Sequence, residues 1–168
     1  PSFMSAESGV LLTASVCPLE SRHYFSVMFG KFENDKFTPE YQSETDKGPD
    51  QYAGQVFRDH KGRSILISWI PGWKYKGFAA SDIGCMSVPR EIKLSDGEIT
   101  AYPIEEVRHL LRDEDESVKR TENGFIIERE GREPVVYTGK INDLKILKDG
   151  YIVEVYVNGG KEVYTALL

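Results

Sequence analysis

The 168 residues carry 27 Asp and Glu against 21 Lys and Arg, a formal charge of -6. That sign disfavours nucleic acid and anionic membrane, which both reward a basic surface. Hydrophobic residues make up 40% of the chain, enough for one packed domain or two small ones. No run of about 18 apolar residues supplies a membrane-spanning helix.

Pro1, Ser2, Phe3, Met4 and Ser5 place no charged segment before an apolar stretch, so they do not read as a signal peptide. A first residue other than Met raises the expectation that the sequence begins inside a longer gene product. Cys17 and Cys85 lie far apart and match no metal-ligand spacing, so two free thiols are expected.

Residues 9–16, with Val10, Leu11, Leu12, Thr13 and Val16, are apolar and β-branched and predict a strand. Residues 18–22 read as a connection, and residues 23–29 predict the next strand, ended by Gly30. Glu33, Asn34, Asp35 and Lys36 form a polar turn. Phe37 then starts a short edge strand that Pro39 should stop, leaving residues 40–45 as a polar lead-in.

Residues 51–58 predict a strand, since Tyr52, Val56 and Phe57 favour the pleat while Ala53 and Gly54 leave room on one side. Asp59, His60, Lys61 and Gly62 make a turn, with Gly62 free to take positive φ. Residues 64–70 are almost continuously apolar, which predicts a strand buried on both faces. The two strands form a hairpin, so Asp50 before the first and Trp73 after the second come to the same end. A carboxylate beside an indole suits a sugar, because the indole covers ring C–H groups and the carboxylate accepts paired hydroxyl hydrogen bonds. An Asp at that position also caps turns, and a Trp also covers core edges. From the residues alone, both readings stay open.

Residues 73–85 form a loop rich in Gly, Ala and Ser. Arg90 and Glu91 flank a strand over residues 92–94, with a structural ion pair favoured over substrate contact. Residues 103–112 predict a short amphipathic helix, with Pro103 at its start, Glu105 and Glu106 in its first turn, and Ile104, Val107, Leu110 and Leu111 as its apolar stripe. His109 lies on it with no carboxylate at a telling spacing. Residues 112–120 are a charged run and read as a solvated linker. Strands follow at residues 124–129, 135–138, 144–148, 151–157 and 162–167, and Asn158-Gly159 marks a hairpin turn. Strands at intervals of about ten residues indicate an all-β sandwich, barrel or propeller.

Three stretches carry a resemblance. Asp46-Lys47-Gly48-Pro49-Asp50-Gln51-Tyr52-Ala53-Gly54-Gln55, then Ile65-Leu66-Ile67-Ser68-Trp69, then Met86-Ser87-Val88-Pro89-Arg90-Glu91 resemble, in order, glycoside hydrolase family 32, the β-fructofuranosidases. Residues 94–99, residues 102–107 and the pattern of residues 153–160 also fit. The resemblance implies the last part of a five-bladed β-propeller over residues 1–102, a linking helix over 103–112, and a reduced β-sandwich over 113–168. It implies substrate-binding roles for Asp50 and Trp73 in a fructose subsite. Tyr52 and Gln55 share the motif, with packing or hydrogen bonding within the blade as their alternative. Where family members carry a Pro-Thr pair and a further Trp, this chain has Phe78-Ala79-Ala80-Ser81-Asp82-Ile83-Gly84, which changes the pocket's shape.

The family's nucleophile sits in Asn-Asp-Pro, its acid/base in Glu-Cys-Pro and its transition-state Asp in Arg-Asp-Pro. None of the three occurs here. Pro1-Ser2-Phe3 resembles the sequence just after that Glu-Cys, so the chain is expected to start one or two residues past the acid. Retaining glycosidases need two carboxyls about 5 Å apart, so the chain is expected to hold no catalytic residue and to be inactive alone. No metal or cofactor is expected. The expected partners are a β-fructoside and either a second copy or a separate chain bringing the N-terminal blades, since open blade edges invite pairing. The alternative readings are a non-catalytic carbohydrate-binding or interaction module derived from the fold, and a purely structural fragment.

Overall fold

The computed structural model describes residues 2–19 except 7 and 8, residues 22–71, and residues 84–168, with backbone only for 2–6. Its described part is almost wholly β, in four antiparallel sheets that follow one another along the chain. The first joins β1 (Ser2–Ala6), β2 (Gly9–Val16), β3 (Tyr24–Glu33) and β4 (Lys36–Glu44) in sequence order. The second runs β5 (Tyr52–Arg58), β6 (Ser64–Ile70), β8 (Arg90–Ser95) and β9 (Glu98–Pro103), with the short β7 (Cys85–Met86) also on β6. The third is β10 (Val118–Thr121), β11 (Gly124–Ile127) and β12 (Val135–Thr138). The fourth is β13 (Leu144–Asp149), β14 (Ile152–Val157) and β15 (Glu162–Leu167).

The fourth sheet is the middle layer. Every residue of β14 is buried, and alternation sends its side chains two ways. Val153, Val155 and Val157 join Phe125, Ile127 and Tyr137 of the third sheet in one core. Tyr156 on the opposite face joins Leu11, Phe25, Val27 and Phe29 of the first sheet and Leu66, Ile92 and Ala101 of the second. A strand buried on both faces reads as a continuous apolar run, which is how residues 152–157 read apart from Glu154.

Three local differences from the sequence expectation have physical causes. Pro39 does not stop β4, which continues to Glu44. The strand is the outer edge of its sheet, where a missing N–H costs no ladder bond, and the register shifts at Phe29/Gly30 opposite it. The helix expected at residues 103–112 shrinks to a 3-10 turn, Glu105–Leu110, with no buried residue; Pro103 ends β9 instead. Residues 112–120 are no free linker, since residues 118–120 already belong to β10. Arg112 exchanges both backbone hydrogen bonds with Ile146, each at 2.8 Å.

The hairpin expected at residues 51–70 is present, with Val56 opposite Leu66 and Arg58 opposite Ser64. A register shift between Tyr52 and Gln55 accommodates Ala53, whose φ is 47°. Beside it Gly54 lies against the first sheet: a Cβ there would stand 2.7 Å from Leu66 Cδ1 and 2.9 Å from the Phe25 ring. Overpacking of that kind costs ~1–3 kcal/mol. Gly54→Ala is therefore expected to lower unfolding stability by about that amount in a urea titration, whereas Gly62→Ala meets only open space and the strain of a φ of +80°.

Candidate functional site

The segment from Thr45 to Gln51 connects the first two sheets and is held mainly by the fourth. Its backbone runs alongside β15. Lys47 N donates to Val163 O at 2.7 Å and Asp50 N to Thr165 O at 3.3 Å. The two aspartates complete that pairing with their side chains. Asp46 Oδ1 accepts from Thr165 N and from Gly48 N, both at 2.8 Å, and Asp50 Oδ2 accepts from Leu167 N at 2.8 Å. Both carboxylates substitute for strand carbonyls, and both residues are about 99% buried.

Each carboxylate also meets an arginine. Arg90, completely buried on β8, donates from Nη1 to Asp46 Oδ2 at 2.7 Å and from Nη2 to Glu154 Oε2 at 2.6 Å. Its Nη2 also reaches Thr165 Oγ1 at 2.7 Å, and its Nε the Tyr156 hydroxyl at 3.1 Å. The guanidinium lies 5.2 Å from the Tyr156 ring centroid. Burial alone would lower its pKa, but Tyr156, Glu154 and Asp46 together hold it well above the ordinary value. Burial likewise pushes the Tyr156 phenol well up. Arg129, from the segment after β11, donates to Asp50 Oδ2 at 2.8 Å and through Nε to Leu167 O at 2.8 Å.

The four residues expected at a sugar site have different surroundings. Asp50 faces Arg129 and the end of β15. Tyr52 is half-buried, with its ring 4.8 Å from that of His23. Gln55 is exposed on β5 opposite Ile67. Trp73 lies outside the described residues. Arg90 and Glu91 do not pair with each other: Arg90 takes Asp46 and Glu154, and Glu91 takes Lys93 at 3.0 Å. Sequence reasoning missed Arg129, Glu154 and Thr165. One signal was available, a lone Glu154 among β-branched residues of a buried strand, since a charge there needs a buried partner.

Gln51 fixes the start of β5. Its Nε2 donates to Ser68 Oγ at 2.6 Å and to Thr45 Oγ1 at 3.3 Å. Among the described residues no cluster of three His, Cys, Asp or Glu side chains could hold a metal ion, and no helix is long and apolar enough to cross a membrane.

Residues 3–103 match the glycosyl hydrolases family 32 N-terminal domain, and the chain belongs to glycoside hydrolase family 32. It is 38% identical over 90 residues to a sucrose-6-phosphate hydrolase of Zymomonas mobilis, a match covering 52% of this chain and 18% of that one. To the sucrose-6-phosphate hydrolase of Staphylococcus xylosus it is 28% identical over 141 residues, covering 82% of this chain and 26% of the relative. The chain thus spans a fifth to a quarter of the length of these relatives. Its fold is that of family 32 enzymes. A Bombyx mori β-fructofuranosidase, solved as a point mutant in complex with sucrose, superposes with a TM-score of 0.73 at 17% identity, covering all of this chain and 48% of that one.

The buried charges set a clear expectation. Removing one partner of a buried ion pair costs ~3–5 kcal/mol, against ~0–1 kcal/mol for an exposed pair. Arg90→Leu strands Asp46 and Glu154 in the interior and is expected to lose the first amount, or to prevent folding altogether. Lys119→Ala, which breaks only the exposed pair with Glu128, is expected to leave the midpoint of chemical denaturation nearly unchanged.

Proposed function

We propose that this chain serves a β-fructosidase of the retaining type, acting on sucrose, a sucrose phosphate or a related β-fructoside, as its last propeller strands and a closing C-terminal unit. The observation that carries this is the family motif of residues 46–55, held in one conformation by two buried carboxylate–arginine pairs. A sucrose complex of a structural neighbour and two sucrose-6-phosphate hydrolases among the relatives support the substrate class. In this reading residues 1–102 belong to the propeller, residues 103–112 link, and residues 113–168 form a reduced β-sandwich from the third and fourth sheets.

Tyr52 and Gln55, on the accessible side of β5, together with Trp73, are the sugar-facing members of the site. Asp50 acts from beneath as the group that fixes the start of β5. The nucleophile and the acid/base come from elsewhere, because the motifs that carry them do not occur in these 168 residues. The site is therefore completed by further blades, in the same polypeptide or a separate one. A non-catalytic sugar-binding module is the second reading, favoured by the same absence.

Two assays separate the readings. The purified 168-residue chain is expected to leave sucrose intact, because losing both carboxyls removes covalent and acid catalysis together. Sucrose cleavage by the chain, persisting through purification to homogeneity, would overturn this assignment. Isothermal titration with sucrose and fructose then decides between enzyme part and module. Millimolar binding that Gln55→Ala weakens favours the module, whereas no binding favours a half-site that works only when completed.

A further inference from the structure

Cys17 and His23 flank the connection between β2 and β3. Val16 pairs with Tyr24 across those strands, so the residues just beyond them meet. Cys17 Sγ and His23 Nε2 are 3.1 Å apart. The His23 ring is fixed in turn by Tyr52 of the second sheet, centroid to centroid at 4.8 Å and tilted by 45°. Burial first, and then the nearby Cys17 sulfur, raise the Tyr52 phenol's pKa. Cys17 is exposed to solvent. The ends of β2 and β3 thus place a base, itself backed by a ring of β5, beside one accessible thiol.

The other cysteine provides the contrast. Cys85 is only partly exposed, sits on β7 opposite Ile70, and packs against a cluster of Ile70, Ile152 and Leu167. An apolar surround disfavours the thiolate, the nucleophilic form, whereas an adjacent imidazole and an exposed position favour it.

We propose that Cys17 is a reactive thiol, activated by His23, whose ring stands against Tyr52, and that it takes small disulfides as its modifying class. In the step, the Sγ proton passes to His23 Nε2, and the Cys17 sulfur attacks one sulfur of the disulfide. The S–S bond breaks, a new S–S bond forms to Cys17, and the departing sulfur leaves as a thiolate with the bonding pair. The disulfide is the oxidant, and half of it is reduced. The inference rests on the thiol geometry alone and stands whether or not the chain binds a fructoside.

The probe is an aromatic disulfide, dithiobis(nitrobenzoate), followed by absorbance and by mass mapping of the modified residue. One fast thiol is expected, mapping to Cys17, about tenfold or more faster than the same thiol in the urea-unfolded chain at equal pH. Cys85 should be slow while the protein is folded, so its protection reports folding in every variant. Cys17→Ser should abolish the fast phase. His23→Gln, with Cys85 still protected, should slow Cys17 by about tenfold, and Tyr52→Leu, which removes the ring standing against His23, by less. If native Cys17 reacts no faster than in the unfolded chain, or if folded His23→Gln matches the parent within about twofold, the proposal fails.

Discussion

One buried guanidinium decides how this chain is put together. Arg90 has no contact with solvent, and its hydrogen bonds go to the segment before β5, to β14 and to β15. One cation faces two carboxylates there, so the cluster would carry a net negative charge in a medium where that is expensive. Neutral donors supply the remainder. Gly48 N and Thr165 N serve Asp46, and Val88 N serves Glu154 at 3.1 Å. The network works only when all of its members are present, because a half-satisfied buried network is worse than an apolar one.

The unit that folds extends past the family match. That match stops at residue 103, but Glu154, Tyr156 and Thr165 all lie beyond it. Gly160 belongs to the same seam. A Cβ there would stand 2.3 Å from Ala101 O, so the turn between β14 and β15 presses directly on β9. The matched part and the rest therefore share one core and one charge network, and neither is complete without the other.

Much of this could be read from the sequence, and the boundary between what could and could not is physical. Strand positions follow from alternation and from turn residues, so the hairpin of β5 and β6 and the Asn158-Gly159 turn were legible. β10 was not, because Lys119 and Arg120 point outward and only Val118 of its four residues is buried. Pro39 suggested a break because local chemistry does not reveal that a strand lies on an edge. At the candidate site, the motif residues were visible but their partners were not. Arg129 is 79 residues from Asp50 and Thr165 is 119 from Asp46, and no local pattern encodes pairings at that separation. For the same reason the sequence offers Asp50 as a candidate hydroxyl acceptor but does not reveal its buried pairing with Arg129.

The two ends of the second sheet are fixed by very different means, and this bears on where function can sit. At the turn between β5 and β6, Asp59 holds the backbone N–H of Lys61 and Arg63, while Arg63 and Lys61 pair with Glu106 near the surface. Those hydrogen bonds keep the Glu106 carboxyl well below its usual range, but pairs this exposed are screened by solvent and contribute little stability. At the opposite end, Asp46, Asp50, Arg90 and Arg129 are locked in the interior. A site that must orient a sugar ring to a fraction of an ångström needs a support whose own rotamers are fixed. Among the described residues of the second sheet, the end bearing Tyr52 has such a support in its buried ion pairs, and the family motif lies there.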